Sequence, residues 1–394
     1  MTIIQTLIFC YFLIYCGTEV SAQIVPDNTL PNNSAIAPDG NVTQIREGTT
    51  AGNNLFHSFS EFSLPEGNVA WFDNAMAIEN IIGRVTGGSV STIDGLIRAN
   101  GTANLFLINP NGIIFGENSA LDLGGSFIGS TADSLKFADD SQFSVIAPQA
   151  SPLLTVSIPV GLQYGSNNGD IVVTGSGNQL QFNPNFSVNR SSRPRGLEVK
   201  PGETLGLIGG NIILDGGNLT ASSGSIQLGS VGNNNLVELD LTESDLNFDY
   251  SNVTNFQDIN LVNASSLETS GRGGGKVTLQ GKEVIIADGS AILADTGGDI
   301  AGENLQINAS ELLVVAGTAV DLPFISRLST DVAPSATAKG GDIELNSANI
   351  IITDGAQVIS SSYGEGNTGN IKVNADYLEL FSGSPILNSS GLFT

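Results

Sequence analysis

The sequence has 394 residues and a formal net charge of −25, and only 13% of its residues are charged, about half of the usual share. With 48 glycines and few oppositely charged pairs, the chain is poor in helix-forming sequence. The acidic balance argues against nucleic-acid binding, the 40% of hydrophobic residues argue against disorder, and the lack of a glycine period of three excludes collagen.

The first 22 residues are predicted to be a secretory signal peptide. Residues 3–17 are almost continuously apolar, and Val20-Ser21-Ala22 fits a small-x-small cleavage site that leaves Gln23 as the first mature residue. Cleavage there removes both cysteines of the chain, Cys10 and Cys16. No Lys or Arg precedes the apolar run, so an uncleaved membrane anchor remains an alternative interpretation. The run is, however, shorter than the roughly 20 residues that a membrane-spanning helix needs.

An aromatic cluster is predicted around the single histidine of the chain. Its members are Phe56, His57, Phe59, Phe62, Trp71 and Phe72. Since the mature chain has no cysteine, nucleophile–histidine pairs and histidine metal sites depend on His57 or are impossible. We predict a structural role for His57, and we predict no catalytic residue, no metal site and no cofactor.

A tight turn is predicted within residues 104–116 (NLFLINPNGIIFG). Asn109, Pro110, Asn111 and Gly112 are each favoured at their position in a β-turn. The flanking residues 105–108 and 113–115 are aliphatic or aromatic, as in short buried strands.

The middle of the chain resembles a series of coils with one interruption. Residues 169–173 resemble residues 210–214, and each segment is followed by a corner containing glycine. Residues 182–200 contain two prolines and three arginines in a stretch of low apolar content, which indicates an excursion from the coils. The adjacent acids Asp139 and Asp140 are the one close acidic pair that we single out, and we place them in a loop.

Four segments near the C-terminus align as repeats with offsets of 28, 38 and 28 residues. The first aligned aliphatics are Val277 and Leu279, Leu305 and Ile307, Ile343 and Leu345, and Ile371 and Val373. The same offsets align Val284 and Ile286 with Leu312 and Val314, with Ile350 and Ile352, and with Leu378 and Leu380. They also align Ile292 with Val320, Val358 and Ile386. The longer second offset predicts an insertion within residues 321–340.

A glycine recurs at one corner of each repeat. These corner glycines are Gly289, Gly317, Gly355 and Gly383. Glycine can adopt positive φ there without a Cβ clash, so each repeat is predicted to hold three short strands around a fixed corner. Stacked coils of this kind bury a continuous aliphatic column and form a parallel β-helix, an all-β solenoid. Two other repeat folds are disfavoured. The sequence lacks the Leu-x-x-Leu-x-Leu motif of leucine-rich repeats, and a propeller needs four strands in each repeat and a longer period.

The β-helix is expected to have an N-terminal cap. The exposed strand edges at the ends of a β-helix invite aggregation. Residues 23–75, with Pro26, Pro31, Pro38 and the aromatic cluster, are predicted to form this cap. At the C-terminus we find no capping element, which predicts a short or truncated chain.

Several segments around the predicted turn resemble one known family. They are residues 54–62 (NLFHSFSEF), 84–88 (RVTGG), 91–97 (STIDGLI), 104–116 and 125–131 (GSFIGST). In this order they resemble the N-terminal secretion (haemagglutination activity) domain of filamentous-haemagglutinin-type exoproteins of two-partner secretion, most closely cyanobacterial members. Asn183-Pro184-Asn185 is a candidate for a second Asn-Pro motif of that family, although the sequence around Phe186 matches poorly.

The resemblance implies a right-handed, single-stranded parallel β-helix with an N-terminal cap. It also implies that an outer-membrane β-barrel transporter, through periplasmic recognition domains, exports the chain while it is extended. Asn109, Pro110, Asn111 and Gly112 correspond to a secretion-linked motif of the family. We therefore divide the chain into a signal peptide (residues 1–22), a secretion domain with the cap and first coils (residues 23–250), and further repeats (residues 251–394).

The resulting functional prediction is a secreted exoprotein, extracellular or attached to the cell surface, that acts as an adhesin or surface-interaction scaffold. A host cell, a surface or a polysaccharide is a possible ligand, and nucleic acid is not. Two alternatives stay open, a β-helical polysaccharide-active enzyme and an inactive truncated exoprotein. Such an enzyme would need acidic groups stacked on successive coils of one face.

Overall fold

The computed structural model describes residues 23–148, 154–185, 187–241, 246–319, 324–381 and 390–394. Within these residues every regular element is a β-strand, so the predicted all-β class is confirmed. In the part of the chain so described, no helix is long and apolar enough to span a membrane. The predicted signal peptide, Ala22 included, and the corner residue Gly383 lie outside the described residues.

The N-terminal strands form the predicted cap. They are β1 (Ile24–Pro26), β2 (Ser34–Asp39), β3 (Val42–Glu47), β4 (Thr49–Ala51) and β5 (Asn54–Phe62). β2 and β3 form an antiparallel hairpin, while β4 and β1 pair antiparallel with the first and last parts of β5. The edges of β3 and β5 that face away from the coils are thereby paired with antiparallel strands, as expected for a cap.

The first coils each contribute one short strand to three parallel ladders, which we call face 1, face 2 and face 3. Their strands are β6 (Val69–Phe72), β7 (Asn80–Val85), β8 (Ser91–Ile93), β9 (Leu96–Ala99), β10 (Asn104–Ile108), β11 (Ile113–Phe115), β12 (Ala120–Asp122) and β13 (Phe127–Ser130). Face 1 contains β5, β7, β10 and β13, face 2 contains β8 and β11, and face 3 contains β3, β6, β9 and β12.

The chain then leaves the coils twice. The strands of this region are β14 (Ser134–Phe137), β15 (Gln142–Ser144), β16 (Pro159–Gln163), β17 (Ile171–Thr174), β18 (Gln181–Phe182), β19 (Val188–Asn189) and β20 (Leu197–Glu198). β14 to β16 form the first excursion, and the antiparallel β18–β19 hairpin, within residues 175–196, forms the second. β17 continues face 2 and β20 continues face 3. The second excursion is the one that the sequence predicts at residues 182–200.

A third excursion follows one further complete coil. The strands are β21 (Thr204–Gly209), β22 (Ile212–Asp215), β23 (Asn218–Thr220), β24 (Ser225–Ser230), β25 (Leu236–Leu241), β26 (Leu246–Asp249), β27 (Ile259–Val262) and β28 (Ser266–Glu268). β25 pairs antiparallel with β16, so the first and third excursions join into one five-stranded sheet outside the helix. This sheet packs on the outward side chains of face 1 and forms a second hydrophobic core with them.

The last coils have longer strands than the sequence predicts. They are β29 (Lys276–Ala287), β30 (Ala291–Leu293), β31 (Leu305–Ala316), β32 (Arg327–Ser329), β33 (Ile343–Thr353), β34 (Gln357–Ile359), β35 (Ile371–Asn374), β36 (Tyr377–Phe381) and β37 (Gly391–Phe393). The first part of β29 pairs with β24 of face 1 and its last part with β27 of face 2. Faces 1 and 2 are therefore continuous across the corner in β29, β31 and β33, instead of being separate strands.

The main core is a column of side chains at equivalent positions of successive coils. On face 1 this column contains Leu105, Phe127, Leu205, Ile226, Val277, Leu305 and Ile343, and each of them is fully buried. The predicted register of Val277, Leu305, Ile343 and Ile371 is confirmed. The parallel β-helix is thus confirmed by the register as well as by the strand directions.

One predicted alignment is wrong by a single residue. Val284 and Ile286 pair with Leu313 and Val315, not with Leu312 and Val314. β31 carries one extra residue at the corner between Ala309 and Leu312, where the register shifts. The bulge turns Leu313 and Val315 into the core, whereas Leu312 and Val314 are only half-buried.

The predicted position of the insertion is also wrong in part. On face 3, Ile292 pairs with Leu328, which pairs with Val358, and Val358 pairs with Leu392. The predicted partners Val320 and Ile386 lie outside the described residues. Most of the added length lies between the end of β31 and the start of β32, at the corner before face 3.

Two corner glycines provide a matched test of the coil geometry. Gly289 and Gly317 have φ of +75° and +79°, so a side chain is strained at either position. A Cβ on Gly289 would lie 2.6 Å from the backbone nitrogen of Ala319, whereas the nearest atom to a Cβ on Gly317 would be 3.6 Å away. We therefore expect Gly289→Ala to destabilise the protein by about 2–4 kcal/mol and Gly317→Ala by only about 1–2 kcal/mol.

The measurement is the urea concentration at the midpoint of unfolding of each variant, with circular dichroism as the signal. Equal shifts of the two midpoints would contradict the close approach of Ala319 to Gly289.

Candidate functional site

The predicted turn connects β10 of face 1 to β11 of face 2. The amide of Gly112 donates a hydrogen bond to the carbonyl oxygen of Asn109 over 3.1 Å, which closes a four-residue β-turn. Gly112 has φ +120°, a conformation that favours glycine. The turn thus lets the chain change direction between two buried strands.

The Asn109 side chain is fully buried and fully engaged inside the protein. Its Nδ2 donates to the carbonyl oxygen of Ser89 and to Oγ of Ser91, both over 3.0 Å. Its Oδ1 accepts a hydrogen bond from the amide of Asn111 over 3.0 Å. Removing this side chain would take a partner from the buried Ser91 hydroxyl of the preceding coil, which is costly.

The turn is also fixed to the coils on both sides. Nδ2 of Asn111 donates to the carbonyl oxygen of Gly87 over 2.7 Å, within the RVTGG segment of the preceding coil. The amide of Gly169, where the chain returns from the first excursion, donates to the carbonyl oxygen of Pro110 over 2.8 Å. The turn therefore links three consecutive passages of the chain.

The second Asn-Pro sequence has a different environment. Asn183, Pro184 and Asn185 form the tip of the β18–β19 hairpin, where the amide of Asn183 donates to the carbonyl oxygen of Ser187 over 2.9 Å. Pro184 and Asn185 are exposed. The neighbouring Phe186 lies outside the described residues. Similar sequence letters thus form a buried corner in one place and an exposed loop in the other.

The structure divides the predicted aromatic cluster into separate groups. His57, Phe59, Phe62 and Phe72 pack together inside the cap, with ring centroids 5.2–6.5 Å apart. Phe56 points to the opposite side of β5, because side chains alternate along a strand, and contacts Phe143 of the first excursion. Trp71 is half-buried and its ring lies under the guanidinium of Arg98.

His57 is buried and close to neutral groups. Its Nδ1 is hydrogen-bonded to Oγ of Ser34 over 2.9 Å, and among the described residues its Nε2 has no partner. Burial lowers the pKa of His57 to about 3. The imidazole is therefore neutral at pH 7, and only 1% of the residue is exposed to solvent.

A buried polar network joins the cap to the next coil and to the first excursion. Arg84 is 1% exposed and donates to Oγ of Ser58, Oγ1 of Thr29 and the carbonyl oxygen of Ser144. Burial opposes the charge of Asp27, yet hydrogen bonds from Thr29, Thr86 and Ser58 hold its pKa below the ordinary value. Burial lowers the pKa of Arg84 to about 10, and the Asp27 carboxylate partly offsets this effect.

The two predicted acidic residues lie in a turn of the first excursion. Asp139 accepts hydrogen bonds from the hydroxyls of Ser141 and Thr155, and these bonds lower its pKa to about 2. Asp140 has φ +66°, as expected for a turn residue. Asp139 therefore acts as an ionised structural acceptor.

The sequence analysis missed a different group of acids that the fold brings together. Asp295 and Asp331 follow β30 and β32 on successive coils of face 3, and Oδ1 of Asp295 accepts from the amide of Asp331 over 2.8 Å. Arg190 of the second excursion pairs with Asp295 and with Glu268. Within the described residues, no group of three or more His, Cys, Asp or Glu side chains is arranged to hold a metal ion.

Comparison with known proteins gives three results. The model of the family described as "TPS secretion domain" matches residues 22–279. The structure is similar to that of the HMW1 secretion domain from Haemophilus influenzae, with 15% identity and a TM-score of 0.47, over 90% of this chain and 100% of that one. It is also similar to the filamentous hemagglutinin secretion domain, with 14% identity and a TM-score of 0.36, over 93% and 99% of the two chains. A search of curated proteins found no match.

The buried histidine predicts a pH dependence of stability. Because the folded-state pKa of His57 lies near 3 and the unfolded value is near 6.5, the unfolded chain binds a proton that the folded chain does not bind in this interval. Stability is expected to fall as pH drops from 6.5 towards 3, by at most about 1.4 kcal/mol per pH unit from this residue.

The measurement compares urea midpoints of the wild-type protein and His57→Gln between pH 6.5 and 4. The variant should lose stability less steeply, since it lacks the titrating ring. Parallel pH profiles would show that His57 is not responsible.

The Arg84 network predicts a strong effect on the cap. Arg84→Ala removes the three hydrogen bonds that the guanidinium donates to Ser58, Thr29 and the carbonyl oxygen of Ser144. It also removes the positive charge near the Asp27 carboxylate, and should destabilise the cap by about 3–5 kcal/mol. Arg98→Ala is the matched control on face 3 of the same coil, because Arg98 is half-exposed and pairs with Asp122 at the surface. Its expected cost is about 0–1 kcal/mol. Limited proteolysis near residue 27 measures both effects, and equal cleavage rates would contradict the network.

Proposed function

The chain belongs to the TPS secretion domain family, and from this membership we propose that its first coils carry the address for a partner transporter while the later coils form an adhesive rod. As a member, it is a secreted exoprotein of two-partner secretion. The proposal goes further in assigning the address to Asn109–Gly112 and in assigning adhesion to the rod. Extracellular or cell-surface localisation after export across the outer membrane is part of the same proposal.

The burial of Asn109 is the observation that carries the address hypothesis. Its Nδ2 and Oδ1 are both used inside the folded protein, so they cannot be contacted from outside. A transporter that reads this side chain has to read it before the coil folds. Recognition of an extended chain by strand addition satisfies this requirement, because an unpaired segment offers free backbone donors and acceptors.

The same turn gives folding a direction after export. Once Asn109 leaves the transporter, its hydrogen bonds to Ser89 and Ser91 connect two coils and provide a template for the next one. The stability of repeat arrays comes largely from contacts between neighbouring coils. Each added coil therefore lowers the free energy of the emerged chain and opposes its return.

The adhesive role is supported by the regular arrangement of side chains on the outer surface of the β-helix. The β-helix presents long ladders with regularly spaced outward side chains, and its single histidine is buried in the cap. Such a rod displays a binding surface away from the cell without requiring a catalytic centre. The acid-rich composition keeps the rod soluble and limits edge-to-edge association.

The test of the address is a matched pair of double variants co-expressed with the partner transporter. Asn109→Ala with Pro110→Ala should reduce the secreted fraction by at least about tenfold, since both the side chain that is read and the turn are lost. Asn183→Ala with Pro184→Ala changes the same two residue types at the exposed hairpin tip and should leave secretion within about twofold of wild type. Immunoblots of medium and periplasm measure the secreted fraction.

Refolding of the purified variants separates recognition from folding. If the Asn109 variant refolds as fast as wild type and is still retained in the periplasm, the motif acts as an address. Equal secretion of the two double variants would refute the proposal.

A further inference from the structure

A cleft of about 720 Å³ lies between the tip of the second excursion and the corner that follows face 3. This volume is within the range of roughly 300–1,000 Å³ that is typical of small-molecule sites. One wall is the hairpin tip with Pro184 and Asn185, and the other side is formed by Pro334 and Tyr363 of the last coils. Asp295 and Asp331 lie between these walls.

The hairpin wall is held firmly in place. The ring of Phe182 stacks on Phe324, with centroids 4.8 Å apart and an interplanar angle of 22°. Leu180 and Val188 are buried against face 3 in a small hydrophobic core. Arg190 donates to Glu268 over 2.8 Å and pairs with Asp295. Because these contacts fix both sides of the hairpin, the cleft is preformed.

The acids of the cleft floor are nearly balanced in charge. Asp331 pairs with the buried Arg327 over 2.6 Å, and Asp295 pairs with Arg190. Each carboxylate oxygen can accept two hydrogen bonds, and Oδ1 of Asp295 already accepts two, from Ser329 and from the amide of Asp331. Oδ2 of Asp295 and both oxygens of Asp331 accept one each, so these three oxygens keep acceptor capacity. The floor therefore offers hydrogen-bond acceptors without a large net charge.

The walls add flat apolar surfaces to these acceptors. The Tyr363 ring and the rings of Pro184 and Pro334 line the cleft, and Asn183, Asn185 and Ser187 add amide and hydroxyl groups at the rim. A ligand that suits this arrangement has apolar faces and many hydroxyl groups. Sugar rings have both, with C–H groups on their faces and hydroxyls around their edges.

We infer that this cleft binds a neutral oligosaccharide. Anionic polysaccharides are disfavoured by the carboxylates and by the net charge of −25 on the whole chain. A cationic peptide is less suitable, because Arg190 and Arg327 already compensate two of the three nearby carboxylates. Since Asp295 and Asp331 are held in ion pairs that build the floor, the cleft serves binding.

This inference deepens the adhesive role proposed above, and its biological use rests on that role. It does not depend on the export route, because binding is measured on the purified folded chain. Loss of secretion in the Asn109 variant and loss of binding in a cleft variant are therefore separate results.

The experiment is isothermal titration calorimetry of the secreted chain with cellohexaose, maltohexaose and chitohexaose as neutral probes. Hexagalacturonate and hexalysine are the anionic and cationic probes. We expect at least one neutral probe to bind with a Kd below about 1 mM, and Tyr363→Ala to weaken that binding at least about tenfold by removing the stacking ring. Tyr363→Phe keeps the ring and should change the Kd less than about threefold.

Two further variants control for folding and position. Tyr377→Ala removes another half-exposed tyrosine, outside the cleft, and should leave the Kd unchanged. Pro184→Ala removes one apolar wall at an exposed position and should weaken binding about threefold without changing the melting temperature. The proposal is overturned if no neutral probe binds, if hexagalacturonate or hexalysine binds more tightly, or if the Tyr363 and Tyr377 variants bind equally.

Discussion

Every coil of this protein depends on its neighbours for its backbone hydrogen bonds. The strands of one coil lie on different faces and do not pair with each other, so their backbone donors and acceptors point along the axis of the β-helix to the coils before and after. The aliphatic column follows from this arrangement, because in-register pairing places each core residue directly above its equivalent. The first coil lacks a preceding coil, and the antiparallel strands β1, β2 and β4 take that place.

The alternation of aliphatic residues predicts the coils well where it is unambiguous. Val277 and Leu279 are separated by a polar residue, and their equivalents pair as predicted. At Leu312–Val315 four aliphatic residues follow one another, so either register satisfies the hydrophobic pattern, and the bulge that selects Leu313 cannot be read from it. The strand partner of Ile292 was predicted wrongly because the alignment placed the insertion after this position of the coil, whereas most of it precedes Leu328.

The sequence predicts the turn, whose residues are adjacent in the chain, but it does not predict the acidic pair, whose residues come from different coils. The turn at Asn109–Gly112 is specified by residues that are adjacent in sequence, and the closing hydrogen bond forms between its first and last residue. The Asp295–Asp331 floor combines two coils with Arg190 from an excursion more than a hundred residues upstream, and no periodicity records that contact. The strands β14 to β16 alternate like coil strands, and their antiparallel direction is set by tertiary pairing.

The second excursion also connects coils that are far apart in sequence. Its hairpin leaves the helix before β20, yet Phe182 stacks on Phe324 and Asn178 donates to the carbonyl oxygen of Gly289. Asn178 and Gly289 are more than a hundred residues apart, and the entropy cost of closing such a loop grows only slowly with its length. The β18–β19 hairpin therefore connects early coils to later ones. The coils that it connects are expected to unfold together, because neither can separate while the hairpin is in place.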